Sequence, residues 1–219
     1  EYGPSLSYPS VHCAQSAIAI DNTIYFFGGW SGTTPAVLTN DFWRYDTQRD
    51  EWEQLHPNDG SNNYSPNAKY PGIRYCASIG VYNGLVYLFS GRNTTNRDPE
   101  FFNDLWRYDL KKNLWTQLQP DDGADDFTVS AKYPPGRYAS GFATLGSKLH
   151  VFGGHSYGEM ELNDFWIYDM AKNFWNLLQP HDGSTDYSVA AVHPGVRRVP
   201  TMVALGPNLI LFGGLNLFS

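Results

Sequence analysis

Short apolar segments, separated by glycine, proline, asparagine and aspartate, run along the whole chain. Residues 137–145 (RYASGFATL) are small and apolar, and residues 148–152 (KLHVF) end at a pair of glycines. A third segment, of the type FWRYD, is rich in aromatic side chains, and a fourth has the form W-x-x-L. Apolar and aromatic segments of this length, bounded by turn residues, are typical of β-strands. Each group of four therefore predicts a small sheet with two apolar faces, which must stack on other sheets to be stable in water.

These four segments recur as a unit. Residues 103–118 (NDLWRYDLKKNLWTQL) return as residues 40–55 and 163–178 with their Asn-Asp pair, Tyr-Asp pair and second tryptophan in register. Each unit begins with a Pro-x-x-Arg element, which ends in His12 in the first unit, and reaches a Phe-Gly-Gly or Phe-Ser-Gly triplet 15 residues later. Successive elements are 62, 63 and 60 residues apart, and only the stretch after the glycine pair varies in length. A period of this size indicates a repeat architecture.

The glycine pairs, the Tyr-Asp pair, the tryptophan six residues after that aspartate and the preceding Asn-Asp resemble the Kelch repeat, which forms blades of a β-propeller. The resemblance covers nearly the whole chain. It implies an all-β fold, a β-propeller segment of four-stranded antiparallel blades, with three complete blades and half of a fourth. We assign residues 1–219 to one propeller segment, with units at about 10–71, 72–134 and 135–194 and an incomplete unit at 195–219.

The number of units predicts that further blades exist. Propellers close with about four to eight blades, and three and a half leave an open edge strand and an unpaired blade face. We therefore expect the remaining blades to come from the same longer polypeptide or, alternatively, from another chain. The sequence begins at Glu1 without a methionine, so we expect a processed chain or a piece of something longer.

Composition and charge narrow the class of partner. Aromatic residues make up 16% of the chain, and its net charge is −7. Without clusters of lysine and arginine, nucleic acid is not an expected partner. No run of about 18 apolar residues occurs, so no transmembrane segment is predicted. The two cysteines, Cys13 and Cys76, are too few for a disulfide framework or a zinc site, and we expect two buried thiols.

The sequence offers no constellation for catalysis, so we expect no enzyme, no catalytic or metal-binding residues and no cofactor. The six histidines form no pair at metal-ligand spacing, and neither a nucleophile elbow nor a phosphate loop occurs. The resemblance to Kelch-type lyases would imply a Glu-x-x-x-Asp-x-x-x-His string, which is absent, and copper oxidases of similar architecture need a Tyr and Cys cross-link with His ligands. An enzyme whose catalytic residues lie outside this segment stays an alternative.

Three arginines, Arg74, Arg137 and Arg197, open the innermost predicted strands. Propeller symmetry would place them in a ring around the mouth of the central channel, where they would attract carboxylates. The resemblance implies the same use, because arginines at the matching location in Kelch adaptor relatives hold an acidic peptide. The alternative is that each arginine binds carbonyls or a carboxylate of an adjacent blade.

The loops between the second and third strands vary in length and content, which is where binding specificity usually lies. They span residues 30–40, 92–103 and 155–163. The side chains that we predict to contact a partner are Trp30, Arg92, Arg97, Phe101, His155 and Tyr157. Each could instead lie against its own blade.

The connections from the fourth strand of one unit to the first of the next emerge on the same face. Each holds 18 residues with the pattern HPNDG, QPDDG or QPHDG, followed by an aromatic residue. Such loops either fold over their own blades or build a shared rim. Their carboxylates, Asp59, Asp121, Asp122 and Asp182, could suggest calcium, but the spacing does not match a calcium loop and Asp-Gly is a common turn pair. We therefore predict turns.

Two Asn-x-Ser/Thr triplets, at Asn63 and Asn93, lie on predicted loops of this face and would accept glycans in a secretory route. They favour an extracellular or secretory location slightly. We predict a protein-interaction or structural scaffold module that binds a protein partner, with an acidic peptide as one possibility, through the face that carries the long loops. The alternative is a glycosylated building block of an extracellular assembly.

Overall fold

The computed structural model describes residues 8–10, 12–31, 37–62, 65–94, 101–123 and 125–216. Within these ranges the chain forms three four-stranded antiparallel sheets and a two-stranded fourth, each in sequential strand order, as expected. One short 3-10 turn, Tyr157–Glu159, interrupts the strands. None of the helical structure in these ranges has the length and hydrophobicity needed to cross a bilayer.

Each sheet is called a blade here. Blade 1 contains β1 (Ser16–Ile20), β2 (Thr23–Trp30), β3 (Leu38–Asp46) and β4 (Glu51–His56). Blade 2 contains β5 (Ser78–Tyr82), β6 (Leu85–Phe89), β7 (Leu105–Asp109) and β8 (Leu114–Gln119). Blade 3 contains β9 (Gly141–Leu145), β10 (Lys148–Ser156), β11 (Met160–Asp169) and β12 (Phe174–Gln179). The half blade contains β13 (Thr201–Leu205) and β14 (Asn208–Phe212).

The repeated Tyr-Asp pair sets the turn from the third strand to the fourth. Asp46 Oδ1 accepts the backbone N–H groups of Gln48 and Arg49 at 2.9 and 3.0 Å. These two N–H groups hold the pKa of Asp46 below its usual range. Asp109 and Asp169 make the same pair of bonds in blades 2 and 3. The aspartate therefore caps a turn of fixed length, which explains its constant distance from the second tryptophan.

The first glycine of each pair lies where the next blade approaches. Gly28 has a φ of +60°, and a Cβ built on it would lie 2.6 Å from the carbonyl oxygen of Arg74 in blade 2. Gly153 repeats this arrangement against Arg197. In blade 2 a serine, Ser90, takes the position with a φ of +65°, fully buried, and its hydroxyl has no hydrogen-bond partner among the described residues. The glycine pair therefore forms a close contact with the next blade as well as a turn.

The innermost strands show that the blades are arranged around an axis. β1 contacts β5, β5 contacts β9, and β9 contacts β13. Just before these strands, the N–H of Cys76 donates to Ala14, that of Ala139 to Cys76, and that of Val199 to Ala139, at 2.8, 3.2 and 2.7 Å. All four residues have a φ between 50° and 56°. We call this chain of hydrogen bonds the inner ring, because it joins successive blades next to their innermost strands.

The hydrophobic core lies between the blades. One cluster joins blades 1 and 2 and a second joins blades 2 and 3. Trp115 packs on Phe27 and Phe42 of blade 1, with ring centroids 5.7 and 5.3 Å apart. Trp175 packs in the same way on Phe89 of blade 2, at 4.8 Å. The equivalent tryptophans thus occupy equivalent junctions, which is the packing that stacked blades require.

The two junctions differ in one hydrogen bond. Trp175 Nε1 donates to Gln119 Oε1 at 2.9 Å, whereas Trp115 Nε1 has no acceptor among the described residues. The residue of blade 1 equivalent to Gln119 is His56, which is buried and whose ring lies 4.0 Å from that of Tyr70. Burial lowers the pKa of His56, although the nearby Asp59 partly opposes this.

Replacing His56 by Gln is expected to raise the free energy of unfolding by about 1 kcal/mol, because the side-chain amide oxygen can accept the Trp115 N–H.

The same change should also reduce the loss of folding stability at acidic pH. A histidine whose folded pKa is lowered is neutral in both states above about pH 6.5, and stability falls as the unfolded state gains its proton below that pH. Urea unfolding of both proteins at pH 5 and pH 8 measures this, and an unchanged pH dependence in His56→Gln would contradict it. His12, His150 and His181 also have lowered pKa values, so part of the dependence should persist.

Candidate functional site

Two of the three arginines expected at the rim are inside their blades. Arg137 is fully buried, and its guanidinium binds both oxygens of Asp164 at 2.7 Å. It also donates to the carbonyls of Pro135 and Gly153 at 3.1 and 3.0 Å. Trp166 Nε1 donates to the same carboxylate at 2.8 Å. The Arg, the Asn-Asp aspartate and the first tryptophan of the repeat therefore form one buried cluster, not a basic ring open to ligands.

Arg74 repeats this arrangement in blade 2, where it is also fully buried and binds Asp104 at 2.5 and 2.7 Å. Arg197 makes the corresponding bonds to Gly195 and Gly213 at 3.0 and 2.9 Å, and its guanidinium lies over the Tyr187 ring at 5.3 Å. Each of the three arginines thus binds carbonyl groups, and Arg74 and Arg137 also bind a carboxylate, as the alternative stated for them expects. These carboxylates belong to the same blade as the arginine and not to an adjacent blade.

The residue that follows each Arg element directly precedes a residue of the inner ring. It pairs across an isolated bridge with the residue after the glycine pair: Cys13 with Trp30, Tyr75 with Arg92, Tyr138 with His155, and Arg198 with Leu215. Because these residues continue the innermost strands, they lie near the axis on the face where the variable loops emerge. We define the mouth surface as Trp30, Tyr75, Arg92, Phe101, Tyr138, His155 and Arg198.

Aromatic rings form a row across this surface. Tyr75 lies 6.3 Å from Trp30 and 5.7 Å from Tyr138, and Phe101 lies 5.8 Å from Tyr138, measured between ring centroids. Because these residues come from blades 1, 2 and 3, the row crosses from blade 1 to blade 3. Trp30, at one end of the row, is 38% exposed. Burial raises the pKa of the Tyr75 hydroxyl to about 12.

Two guanidinium groups converge on one phenol in the middle of the surface. Arg198 Nη1 lies 3.2 Å from the hydroxyl of Tyr138, and Arg92 Nη1 lies 3.5 Å from it. The Arg92 guanidinium also lies over the rings of Phe101 and Tyr138, at 5.0 and 5.2 Å. Both arginines are partly exposed. Planar cations held against aromatic faces suit carboxylate recognition, because each guanidinium can donate two parallel hydrogen bonds.

The buried carboxyl group of Glu161 lies next to Arg198. Glu161 is 3% exposed, and its Oε1 lies 3.4 Å from His155 Nδ1 and 3.7 Å from Arg198 Nε. The equivalent residues of blades 1 and 2 are the apolar Leu38 and Phe101. A cavity of about 450 Å³ adjoins this carboxylate and is also lined by His181 and Asn216. The third blade thus departs from the repeat by placing a carboxyl group where the others have an apolar side chain.

The predicted loop residues are only partly exposed. Phe101 and His155 are buried, whereas Trp30, Arg92 and Tyr157 are accessible to different degrees. Tyr157 donates through its hydroxyl to the carbonyl of Phe101 at 3.0 Å, which joins the loops of blades 2 and 3. Arg97 lies outside the described residues.

Of the two predicted glycosylation sites, the structure describes Asn93. Asn93 is fully buried, and its Nδ2 donates to Asn62 Oδ1 at 3.1 Å. A glycan on this nitrogen requires the contact with Asn62 to be absent, because the side chain has no exposed surface in the folded chain. Asn63 lies outside the described residues.

The long connecting loops are fixed by the asparagine of the Asn-Asp pair. Asn163 Nδ2 donates to Asp182 Oδ1 at 2.6 Å, and the backbone N–H of Asp182 donates back to Asn163 Oδ1 at 3.2 Å. Asn40 and Asn103 make the same reciprocal bonds with Asp59 and Asp122. Burial raises the pKa of Asp121, which caps the N–H of Asn103, to about 6. These carboxylates form turns, and the part of the chain that the structure describes contains no group of three potential metal ligands.

Sequence reasoning missed Tyr75, Tyr138, Arg198 and Glu161. The position after the Arg element is Cys, Tyr, Tyr and Arg in the four units, but the residues that follow it differ as well, so no sequence signal singled it out.

Comparisons with known proteins agree with this architecture. Residues 4–125 match the KLHDC2/KLHL20/DRC7 Kelch-repeats domain, and residues 136–181 match the Kelch motif. Kelch domain-containing protein 10 from Homo sapiens is 25% identical over 211 residues, which cover 95% of this chain and 42% of that protein. The N-(sulfonatooxy)prop-2-enimidothioate sulfolyase from Thlaspi arvense is 28% identical over 211 residues, 90% of this chain and 53% of that protein.

The chain thus spans about half the length of these two relatives. The family model covers more than half of the chain, and the blades, junctions and capped turns account for the repeated residues. The chain belongs to the Kelch-repeat family.

Proposed function

We propose that this chain is a protein-interaction module that binds an acidic segment of a partner protein at the mouth surface. The observation that carries the proposal is the convergence of the partly exposed Arg92 and Arg198 on the hydroxyl of Tyr138. A carboxylate placed there can accept bonds from both guanidinium groups. The rigid blades beneath hold the two cations in position, which lowers the ordering cost of binding.

The surroundings support a peptide as the ligand. The row of rings from Trp30 to Phe101 offers apolar area next to the cations, and aromatic residues and arginine are the side chains most enriched at interface centres. Because the chain carries a net charge of −7, a local pair of cations contrasts with the rest of the molecule. The buried Arg74 and Arg137 support the blades beneath the surface and do not contact the ligand.

We propose binding and not catalysis as the activity of this segment. Where pKa values are shifted, as for Asp121 and His56, burial in a connecting loop or a blade junction is the cause. One relative is named a sulfolyase, whereas the name of the other, Kelch domain-containing protein 10, states no activity, so the relatives do not favour catalysis for this segment.

Fluorescence anisotropy with a labelled peptide that carries two adjacent aspartates, and with its asparagine counterpart, tests the proposal. We expect the aspartate peptide to bind more tightly, with an affinity that falls as salt is added. Arg92→Met and Arg198→Met should each weaken binding about 10-fold or more, because a charge-assisted hydrogen bond contributes about 1.5–3 kcal/mol. Arg44→Met is the matched control, since Arg44 pairs with Glu53 on the exposed outer strands of blade 1. Equal binding of the two peptides, or an equal loss in the control, would contradict the proposal.

A further inference from the structure

The only two cysteines of the chain lie next to each other across the junction of blades 1 and 2. Cys13 and Cys76 are 63 positions apart in the sequence. In the inner ring, the backbone N–H of Cys76 donates to the carbonyl of Ala14, the residue that follows Cys13, at 2.8 Å. The fold therefore brings together two thiols that the sequence keeps in different repeat units.

Their arrangement is specific to this junction. At the equivalent positions, the junction of blades 2 and 3 has Tyr75 and Ala139, and the next junction has Tyr138 and Val199. A disulfide needs Cα atoms about 4.4–6.8 Å apart. The hydrogen bond to Ala14 places the Cys76 backbone beside the residue that follows Cys13, and the Cys13 thiol affects the pKa of Cys76, so the two cysteines are neighbours.

The two thiols differ in accessibility. Cys13 is exposed, with its Sγ 3.4 Å from the carbonyl of Trp30, whereas Cys76 is half-buried. Burial raises the pKa of Cys76 to about 11, and the nearby Cys13 thiol adds a smaller effect in the same direction. Reagents in solution therefore reach Cys13 first, and Cys76 is protected from them.

We propose that Cys13 and Cys76 form a reversible disulfide that joins blade 1 to blade 2 at the mouth surface. With oxidised glutathione as the oxidant, the Cys13 thiolate attacks one sulfur and releases one molecule of reduced glutathione, leaving a mixed disulfide. The Cys76 thiolate then attacks Cys13 Sγ and releases the second. Two protein thiols lose two electrons and two protons, and one glutathione disulfide becomes two thiols.

This bond lies beside the aromatic row. Cys13 is paired with Trp30, Tyr75 precedes Cys76, and the rings of Trp30 and Tyr75 are 6.3 Å apart. The disulfide therefore limits relative movement of the two rings and should favour ligand binding through preorganisation. This consequence rests on the proposed function, whereas disulfide formation does not.

Intact mass spectrometry of the full chain, equilibrated in glutathione buffers from reducing to oxidising, tests the disulfide. We expect a loss of the mass of two hydrogens, reversed by dithiothreitol, and a rise in the midpoint of thermal unfolding of about 5–15 °C. The Cys76→Ser variant should react only as far as the glutathione adduct of Cys13. The Cys13→Ser variant should form no internal disulfide. A stable glutathione adduct in the unmodified sequence, without the internal disulfide, would overturn the proposal.

The aspartate peptide then tests the effect on binding. We expect the oxidised chain to bind it about 3–10-fold more tightly than the reduced chain, and the Cys76→Ser variant to show no change with redox potential once its adduct is removed. Equal affinity of the two forms would overturn the regulatory part alone. If neither form binds the peptide while the disulfide still forms, the proposed function fails and the disulfide stands.

Discussion

Replacing Arg137 by Met lowers the free energy of unfolding by about 3–5 kcal/mol, the cost of leaving one member of a buried ion pair without its partner. The guanidinium binds both oxygens of Asp164 and two backbone carbonyls, with no exposed surface. Methionine fills a similar volume but donates no hydrogen bond. Among the described residues, the Trp166 N–H is then the one side-chain donor left to the Asp164 carboxylate.

Urea unfolding followed by tryptophan fluorescence measures this loss. Arg74→Met should lose a similar amount, because Arg74 and Asp104 repeat the arrangement in blade 2. Arg44→Met should lose less than about 1 kcal/mol, since exposed ion pairs contribute little. A small loss in Arg137→Met together with weaker peptide binding would contradict the structural role and favour the ring of ligand-binding arginines expected from the sequence.

Trp115→Ala is expected to lower the free energy of unfolding by about 3–5 kcal/mol, because truncating a buried tryptophan leaves a cavity that the surrounding blades cannot fill. Its ring lies against Phe27 and Phe42 of blade 1 and Tyr108 of its own blade. The side chain is 5% exposed. The loss therefore falls on the contact between two blades.

Trp52→Ala is the matched control, because Trp52 holds the same position in blade 1. Its ring packs on Phe26 and Tyr45 of its own blade and is only half-buried. We expect a loss of about 1–2 kcal/mol, in line with the smaller area removed from water. Equal losses for the two variants, measured by urea unfolding, would show that stability arises within blades and would contradict the inter-blade core.

The arginines of this chain occupy two kinds of environment that the sequence does not separate. Arg137 and Arg198 are both near the start of an innermost strand, yet one lies inside a blade and the other points to Tyr138 at the mouth. Buried arginines that are hydrogen-bonded within a blade hold its strands and turns together, whereas we propose that the partly exposed Arg92 and Arg198 bind a carboxylate. Mutations of the first group should change stability, and mutations of the second should change affinity.

Strand type and order could be predicted from the sequence because they depend on local chemistry. The alternation of apolar segments with glycine and aspartate predicted four strands per unit, and the Tyr-Asp pair proved to cap the turn after the third strand. Short-range hydrogen bonds and turn preferences act over a few residues, so a repeated motif carries them into every blade. The need of two-faced apolar sheets to stack also followed directly from composition.

The candidate site could be predicted only in part. Trp30, Arg92 and Tyr157 lie where variable loops were expected, but Phe101 and His155 are buried. Tyr138, Arg198 and Glu161 escaped notice because each is unremarkable in its own unit. Their proximity arises from the junction of blade 3 and the half blade, which joins Arg198 to residues 60 and 37 positions earlier in the chain.

The sequence by itself thus determined the repeat, the strands, their turns and the Kelch family, since these depend on residue spacing and on contacts within one unit. The tertiary structure alone decided which arginines are buried, which side chains meet at the mouth, and that Cys13 lies beside Cys76. The physical reason is that packing around an axis brings together equivalent positions of different units. The burial and pairing of a side chain depend on that distant neighbour and not on its own motif.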